Sequence, residues 1–204
     1  KNKFCFHGDI EKYFPSVNHG ILKNILRQKI EDGDLLWLLD TIIDSAKQIP
    51  GSNQQGMPIG NLTSQLFANI YLDELDKFVK QDLKIKYYIR YCDDFIILDA
   101  NEANLKSLIC KIDNFLQDKL KLSLHPNKVE IRKYRQGIDF LGYVSFPYHR
   151  ILRVKTKNRI IRKLGDIGSP TFSRQTIQSY LGVLKHCDSY KLKKEILDLI
   201  EHRA

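Results

Sequence analysis

The 204-residue sequence has no C-x-x-C pair, and its four cysteines, Cys5, Cys92, Cys110 and Cys187, are scattered. That argues against structural zinc and against a disulfide framework; with no signal-peptide pattern at its start, the chain is expected in a reduced, cytoplasmic setting. No apolar run approaches the roughly 18–20 residues of a membrane span. Phe95-Ile96-Ile97-Leu98 has only the length of a strand and is bracketed by aspartates. Internal repeats and low-complexity tracts are also absent, so nothing suggests a solenoid or a disordered tail. Acidic residues are the minority charge, 24 Asp and Glu against 33 Lys and Arg, for a net charge of +9. With 43% hydrophobic and 28% charged residues, the composition is that of a globular chain able to bury a full core and carry a smaller second module.

The positive surplus is confined to the second half. Residues 1–100 hold 12 Lys and Arg against 14 Asp and Glu, whereas residues 101–204 hold 21 against 10. Between Lys128 and Lys163 eleven basic residues face only Glu130 and Asp139. Such a run is either a solvated face or a track for a phosphate backbone.

Hydrophobic periodicity outlines the elements. Phe4, Phe6 and Ile10 alternate as in a strand that delivers Asp9 at its end, and Asn18 is placed to cap a helix burying Ile21, Leu22, Ile25, Leu26 and Ile30. A second helix is expected over Leu35 to Asp44. Residues 48–61, with Pro50, Gly51, Gly56, Pro58 and Gly60, read as a loop, and a long helix follows to Val79. Residues 85–91 and 95–98 form a hairpin around Cys92-Asp93-Asp94, and residues 102–120 a helix with Leu105, Leu108, Ile109, Ile112, Phe115 and Leu116 inside. Extended pieces at 122–124 and 129–134 and a hairpin at 138–146 about Gly142 complete an α+β plan of an antiparallel sheet with helices on one face. After Pro147 the pattern is helical, at 155–164, 173–186 and 192–201.

Three carboxylates carry the chemical interest. Asp9 ends the first strand, and Asp93 and Asp94 occupy the hairpin turn; if the two elements are sheet neighbours, the three converge. Such a group needs cations to stay charged, and oxygen-only ligation suits Mg²⁺. Asp93-Asp94 also suits a tight turn on its own account, and Asp9 a helix start.

In these residues the chain resembles the reverse transcriptases. His7-Gly8-Asp9-Ile10-Glu11-Lys12-Tyr13-Phe14-Pro15-Ser16-Val17 looks like the first catalytic motif of the family, and Tyr91-Cys92-Asp93-Asp94 like its Y-x-D-D. Gly60-Asn61-Leu62-Thr63-Ser64-Gln65, Lys128 after Leu122-Ser123-Leu124-His125-Pro126, and Phe140-Leu141-Gly142-Tyr143 match further motifs in the right order. The resemblance implies a right-hand polymerase palm over residues 1–149 and a small, basic, helical thumb over residues 150–204. The fingers are expected to be missing, since the chain begins only eight residues before Asp9. It reads as a palm–thumb fragment, weak or inactive alone, or as a naturally truncated palm.

The implied activity is RNA-directed DNA polymerisation, in which the 3′-hydroxyl of a DNA primer attacks a dNTP on an RNA template. Asp9, Asp93, Asp94 and the Ile10 carbonyl would hold two Mg²⁺ ions, with Mn²⁺ able to substitute. Phe14 resembles the bulky side chain that excludes a ribose 2′-hydroxyl, with an ordinary core aromatic as the alternative. Ile59, Gly60, Gln65 and Cys92 would line the nucleotide or the primer end. Lys128 would act as general acid toward pyrophosphate or as a phosphate contact. Gly142 and Tyr143 resemble the primer grip, and Arg159 and Lys163 would follow the template–primer backbone. An accessory protein is a further expected partner; a membrane is not.

Most bacterial relatives read Q-G-x-x-x-S-P where this chain reads Ile59-Gly60-Asn61-Leu62-Thr63-Ser64-Gln65. That form resembles the error-prone reverse transcriptases of diversity-generating retroelements. Within the same class a group II intron, retron or phage-defence enzyme is the alternative; from another class, a non-catalytic RNA-binding palm scaffold.

Overall fold

The computed structural model describes residues 2–45, 55–57, 62–165 and 174–201. Contacts divide the chain into two compact units, Lys1–Ile131 and Arg132–Ala204.

The first unit is built on β1 (Phe4–Asp9), β2 (Tyr88–Tyr91) and β3 (Asp94–Asp99). Both β1 and β2 pair antiparallel with β3, and β4 (Glu130–Lys133), which runs across the division, gives the sheet order β2-β3-β1-β4. The helices are α1 (Tyr13–Ser16), α2 (His19–Arg27), α3 (Gly33–Ser45), α4 (Leu62–Lys77) and α5 (Glu102–Phe115). Asn18 caps α2 as its position predicts, accepting from the Ile21 N–H at 3.1 Å. The expected extensions to Val79 and Leu120 are made by π-helical turns, Phe78–Asp82 and Leu116–Leu120. Phe78 and Phe115, at the junctions of helix and turn, stack with ring centroids 4.2 Å apart.

The pleat sends alternate residues to opposite faces. Phe6, Ile10, Phe95 and Ile97 join one core with Leu22, Phe67, Tyr71, Leu72, Leu75, Leu105 and Ile112 from the helices. Asp9 and Asp94 alternate to the other face. Gly8 lies on the core face, where a Cβ would stand 2.5 Å from Phe95 Cζ; the ring of Phe95 fills the space a side chain would need.

The second unit has a sheet of its own, β5 (Ile138–Phe140), β6 (Tyr143–Ser145) and β7 (Arg150–Leu152) in that order, and helices α6 (Val154–Gly165), α7 (Arg174–Leu184) and α8 (Tyr190–Glu201). The β5–β6 turn places Leu141 at φ 52° and Gly142 at φ 85°, the paired left-handed residues of a tight hairpin. Strand β7 was not anticipated, because three residues after Pro147 give too little alternation to register. It makes the 138–152 region a three-stranded sheet, and Leu152 joins a core with Ile160, Leu184, Leu192 and Ile196. Compactness therefore divides the chain at 131/132, ahead of the palm–thumb boundary expected at 149/150: the hairpin shares a core with the helices that follow it.

Candidate active site

Asp9 and Asp94 are direct cross-strand partners, and Tyr91 pairs with Asp94 from the other side. Antiparallel partners have Cα atoms only about 4.5–5.5 Å apart. The Asp93 carbonyl accepts the Ile10 N–H at 3.2 Å, so the turn residue is tied to the end of β1. The three acids thus lie together at one end of the sheet.

Each is held differently. Both oxygens of Asp9 accept from Lys128 Nζ, at 3.0 and 3.1 Å, and the Asp9 carbonyl accepts the His125 N–H at 2.8 Å. Asp94 pairs with Nε2 of His7, its diagonal neighbour on the same face. Asp93 sits in the turn, where burial first, and then the charges of Asp9 and Asp94, push its carboxyl above the ordinary aspartate range; the Lys128 cation opposes this. Cys92 holds φ 56°, a left-handed conformation in which a residue with a Cβ is strained.

Ile10 bridges Leu124 between two hydrogen bonds, Glu11 N–H to Ser123 O and His125 N–H to Asp9 O. Its own N–H and C=O therefore turn to the side of β3, and the N–H reaches Asp93. Three aspartates and a backbone carbonyl at one end of the sheet are oxygen donors of the kind a hard divalent cation takes. Among the described residues no three His, Cys, Asp or Glu side chains are already grouped around a metal position. Two of the acids are turned instead to side-chain partners, Asp9 to Lys128, whose side chain is 57% exposed, and Asp94 to His7. The donor chemistry fits.

Phe14 is half-buried in α1, and its carbonyl accepts the Met57 N–H at 2.9 Å. Gly56 N–H donates to Val17 O at 2.8 Å, and the buried His19 bonds Gly56 O through Nε2 at 2.7 Å, so residues 55–57 are stitched to the segment after the first acid. Gln65 is exposed on the first turn of α4. Ile59 and Gly60 lie outside the described residues.

In the second unit the Tyr143 hydroxyl donates to Val183 O at 3.0 Å, and the Arg150 guanidinium lies 4.8 Å from the Tyr143 ring centroid. Arg159 and Lys163 are exposed one turn apart on α6. A groove of about 770 Å³ is lined by Arg153, Lys155, Arg159 and Arg162 among others.

Sequence reasoning did not single out His7 as a partner of Asp94, nor Arg90 and Asp76. The side chain of Arg90 is 9% exposed, forms a two-pronged ion pair with Asp76 of α4, and donates through Nη1 to Cys92 O at 2.9 Å. Its signal was available: in β2 it occupies the core-facing parity with Tyr88, where a charge requires a partner.

A family profile described as "Reverse transcriptase (RNA-dependent DNA polymerase)" matches residues 1–145. The chain belongs to that family. It is 25% identical over 202 residues to Protein YkfC of Escherichia coli (strain K12), covering 82% of this chain and 51% of that protein. It is also 25% identical over 207 residues to the Group II intron-encoded protein LtrA of Lactococcus lactis subsp. cremoris, covering 69% and 34%. This reverse transcriptase domain thus spans about half the length or less of these curated relatives. A telomerase of Candida albicans, solved with a TWJ fragment of telomeric RNA, superposes with a TM-score of 0.56 over 80% of this chain and 35% of that one, at 12% identity, which speaks to the fold. No helix among the described residues is long and apolar enough to cross a membrane.

Proposed function

We propose that the domain is the catalytic core of an RNA-directed DNA polymerase that extends a DNA primer on an RNA template with dNTPs. The observation that supports this reading is the backbone pairing that sets Asp9 opposite Asp94 and ties Asp93 to the end of β1, with burial raising the Asp93 carboxyl above the ordinary aspartate range. Asp9, Asp93, Asp94 and the Ile10 carbonyl would hold two Mg²⁺ ions, which when bound activate the primer hydroxyl and neutralise charge on the phosphates.

The remaining roles belong to this chain's own residues. Strand pairing sets the Asp9 backbone opposite Asp94, and the Ile10–Asp93 bond ties the turn to β1, so that side-chain rotation alone would bring the three carboxylates to the ions. Lys128, whose Nζ pairs with Asp9, would keep a positive charge at the site and meet or protonate departing pyrophosphate. Phe14, anchored through its carbonyl to Met57, would stand beneath the nucleotide sugar. Ile59, Gly60, Gln65 and Cys92 would contact the incoming nucleotide and the primer end. Residues 1–149 would act as palm and 150–204 as thumb, with Gly142 and Tyr143 at the primer and Arg159 and Lys163 along the duplex backbone, where phosphate contacts supply affinity without sequence preference.

Primer extension by the full-length protein on a defined RNA template tests the proposal. Extension should require Mg²⁺ or Mn²⁺, prefer deoxynucleotides, and vanish in Asp93→Asn with the fold intact. Undiminished extension by Asp93→Asn would refute the assignment.

A further inference from the structure

The Y-x-D-D turn has to present Asp93 in one orientation, yet the residue before it, Cys92, holds the left-handed φ of 56° that glycine would adopt without strain. Something must hold this turn, and on its core side one residue does. Arg90 Nε donates to Asp76 Oδ1 at 2.8 Å and Nη2 to the other carboxylate oxygen, which leaves Nη1 directed at the Cys92 carbonyl, 2.9 Å away. Asp76 is braced in turn by the Tyr88 hydroxyl, which donates to Oδ1 at 2.6 Å. A planar guanidinium makes the two sets of bonds simultaneously and in fixed relative directions; a single ammonium does not.

The consequence for Asp93 follows from peptide planarity. The Cys92 carbonyl belongs to the peptide plane that enters Asp93, and the Asp93 carbonyl, which accepts the Ile10 N–H at 3.2 Å, belongs to the plane that leaves it. With both planes pinned, φ and ψ of Asp93 are fixed, and so is the origin of its carboxylate. Arg90 connects this turn to α4, the helix whose first turns carry Ser64 and Gln65, so turn and helix are set relative to each other by one side chain.

We propose that Arg90, clamped by Asp76, is a positioning residue that holds the strained catalytic turn and thereby aims Asp93; this rests on the polymerase reading above. It touches no substrate and acts through the Cys92 carbonyl. The alternative is a brace between α4 and β2 that affects stability alone.

Arg90→Lys separates the two, because lysine retains a charge for Asp76 but not the fork that also reaches Cys92. In the full-length protein, single-nucleotide extension should lose about 10–100-fold in kcat, the order expected when a catalytic group is misplaced by about an ångström. KM for dNTP and template–primer affinity should stay within about threefold. A second reading is independent of activity: alkylation of the half-buried Cys92 thiol, followed by peptide mass spectrometry against the exposed Cys110, should accelerate several-fold as the turn loosens. Should Arg90→Lys melt below assay temperature, Asp76→Asn is expected to show the same pattern at smaller amplitude. Wild-type kcat and wild-type Cys92 reactivity in the folded variant would overturn the positioning role while leaving the polymerase reading intact. A wild-type protein that extends no primer would overturn both.

Discussion

Replacing Gly8 by alanine tests how tightly the catalytic end of the sheet is built. The added Cβ would stand 2.5 Å from Phe95 Cζ and 2.9 Å from two further ring carbons, where ordinary carbon contacts are about 3.5–4.0 Å. The ring or the strand must therefore move by about an ångström. The ring is fully buried, lies edge-on to Phe6 at 5.5 Å, and packs near Tyr88 at 6.1 Å, so neighbours must move with it. Overpacking of this kind costs about 1–3 kcal/mol. At about 2 kcal/mol, the Tm of a domain this size falls by roughly 4–8 °C. Equilibrium urea unfolding and thermal melts give the number. Gly8→Ala combined with Phe95→Leu, which removes the obstructing ring atoms, should be destabilised by about 1 kcal/mol less than the two changes summed. Because Phe95 follows Asp94 directly, Gly8→Ala should also slow primer extension. Stability within about 0.5 kcal/mol of wild type, or strict additivity in the double variant, would refute the argument that the ring excludes a side chain at Gly8.

Three further outcomes are expected. Asp93→Asn should raise stability at pH 7 while abolishing extension: the folded-state pKa of Asp93 lies above its unfolded value, so the native chain bears the cost of the charge at neutral pH. That gain should shrink as pH falls through the raised pKa and disappear below about 4, as melts across pH will show. Lys128→Met should change stability by less than about 1 kcal/mol, the pair with Asp9 being partly solvent-screened, yet reduce kcat on the order of 100-fold in single-nucleotide extension. Ile59→Gln, which restores a hydrogen-bonding amide, should lower misincorporation opposite template adenine by about 10-fold or more, read by sequencing complementary DNA from one RNA template. Equal error spectra would show that Ile59 only packs and would leave the diversity-generating reading without its physical support.

The sequence made the elements of the first unit legible because their periodicities are clean. Asn18 marks the start of α2, Phe95 to Leu98 is an unbroken apolar run of strand length, and Leu105, Leu108 and Ile112 recur at helical spacing and are buried. The neighbourhood of Asp9 and Asp94 was legible as a condition, that β1 and β3 be adjacent, and their register meets it. What the sequence hid was long-range pairing. His7 is 87 residues from Asp94 and Lys128 is 119 from Asp9, so no local spacing announces either bond. Arg90 was passed over because a lone arginine in an aromatic strand reads as a surface charge until the pleat places it on the core face beside Tyr88. The short β7 escaped notice for lack of length, and with it the compact unit beginning at residue 132.

The central claim is that three carboxylates drawn together by strand pairing form a two-cation centre. Anomalous scattering from crystals of the full-length protein soaked with Mn²⁺, template–primer and a non-hydrolysable dNTP tests it directly. The account predicts two Mn²⁺ peaks about 3.5–4 Å apart, bounded by Asp9, Asp93, Asp94 and the Ile10 carbonyl, with Lys128 and His7 displaced from their carboxylates. A bound nucleotide with no Mn²⁺ at these acids, and with Lys128 still on Asp9 and His7 still on Asp94, would contradict it.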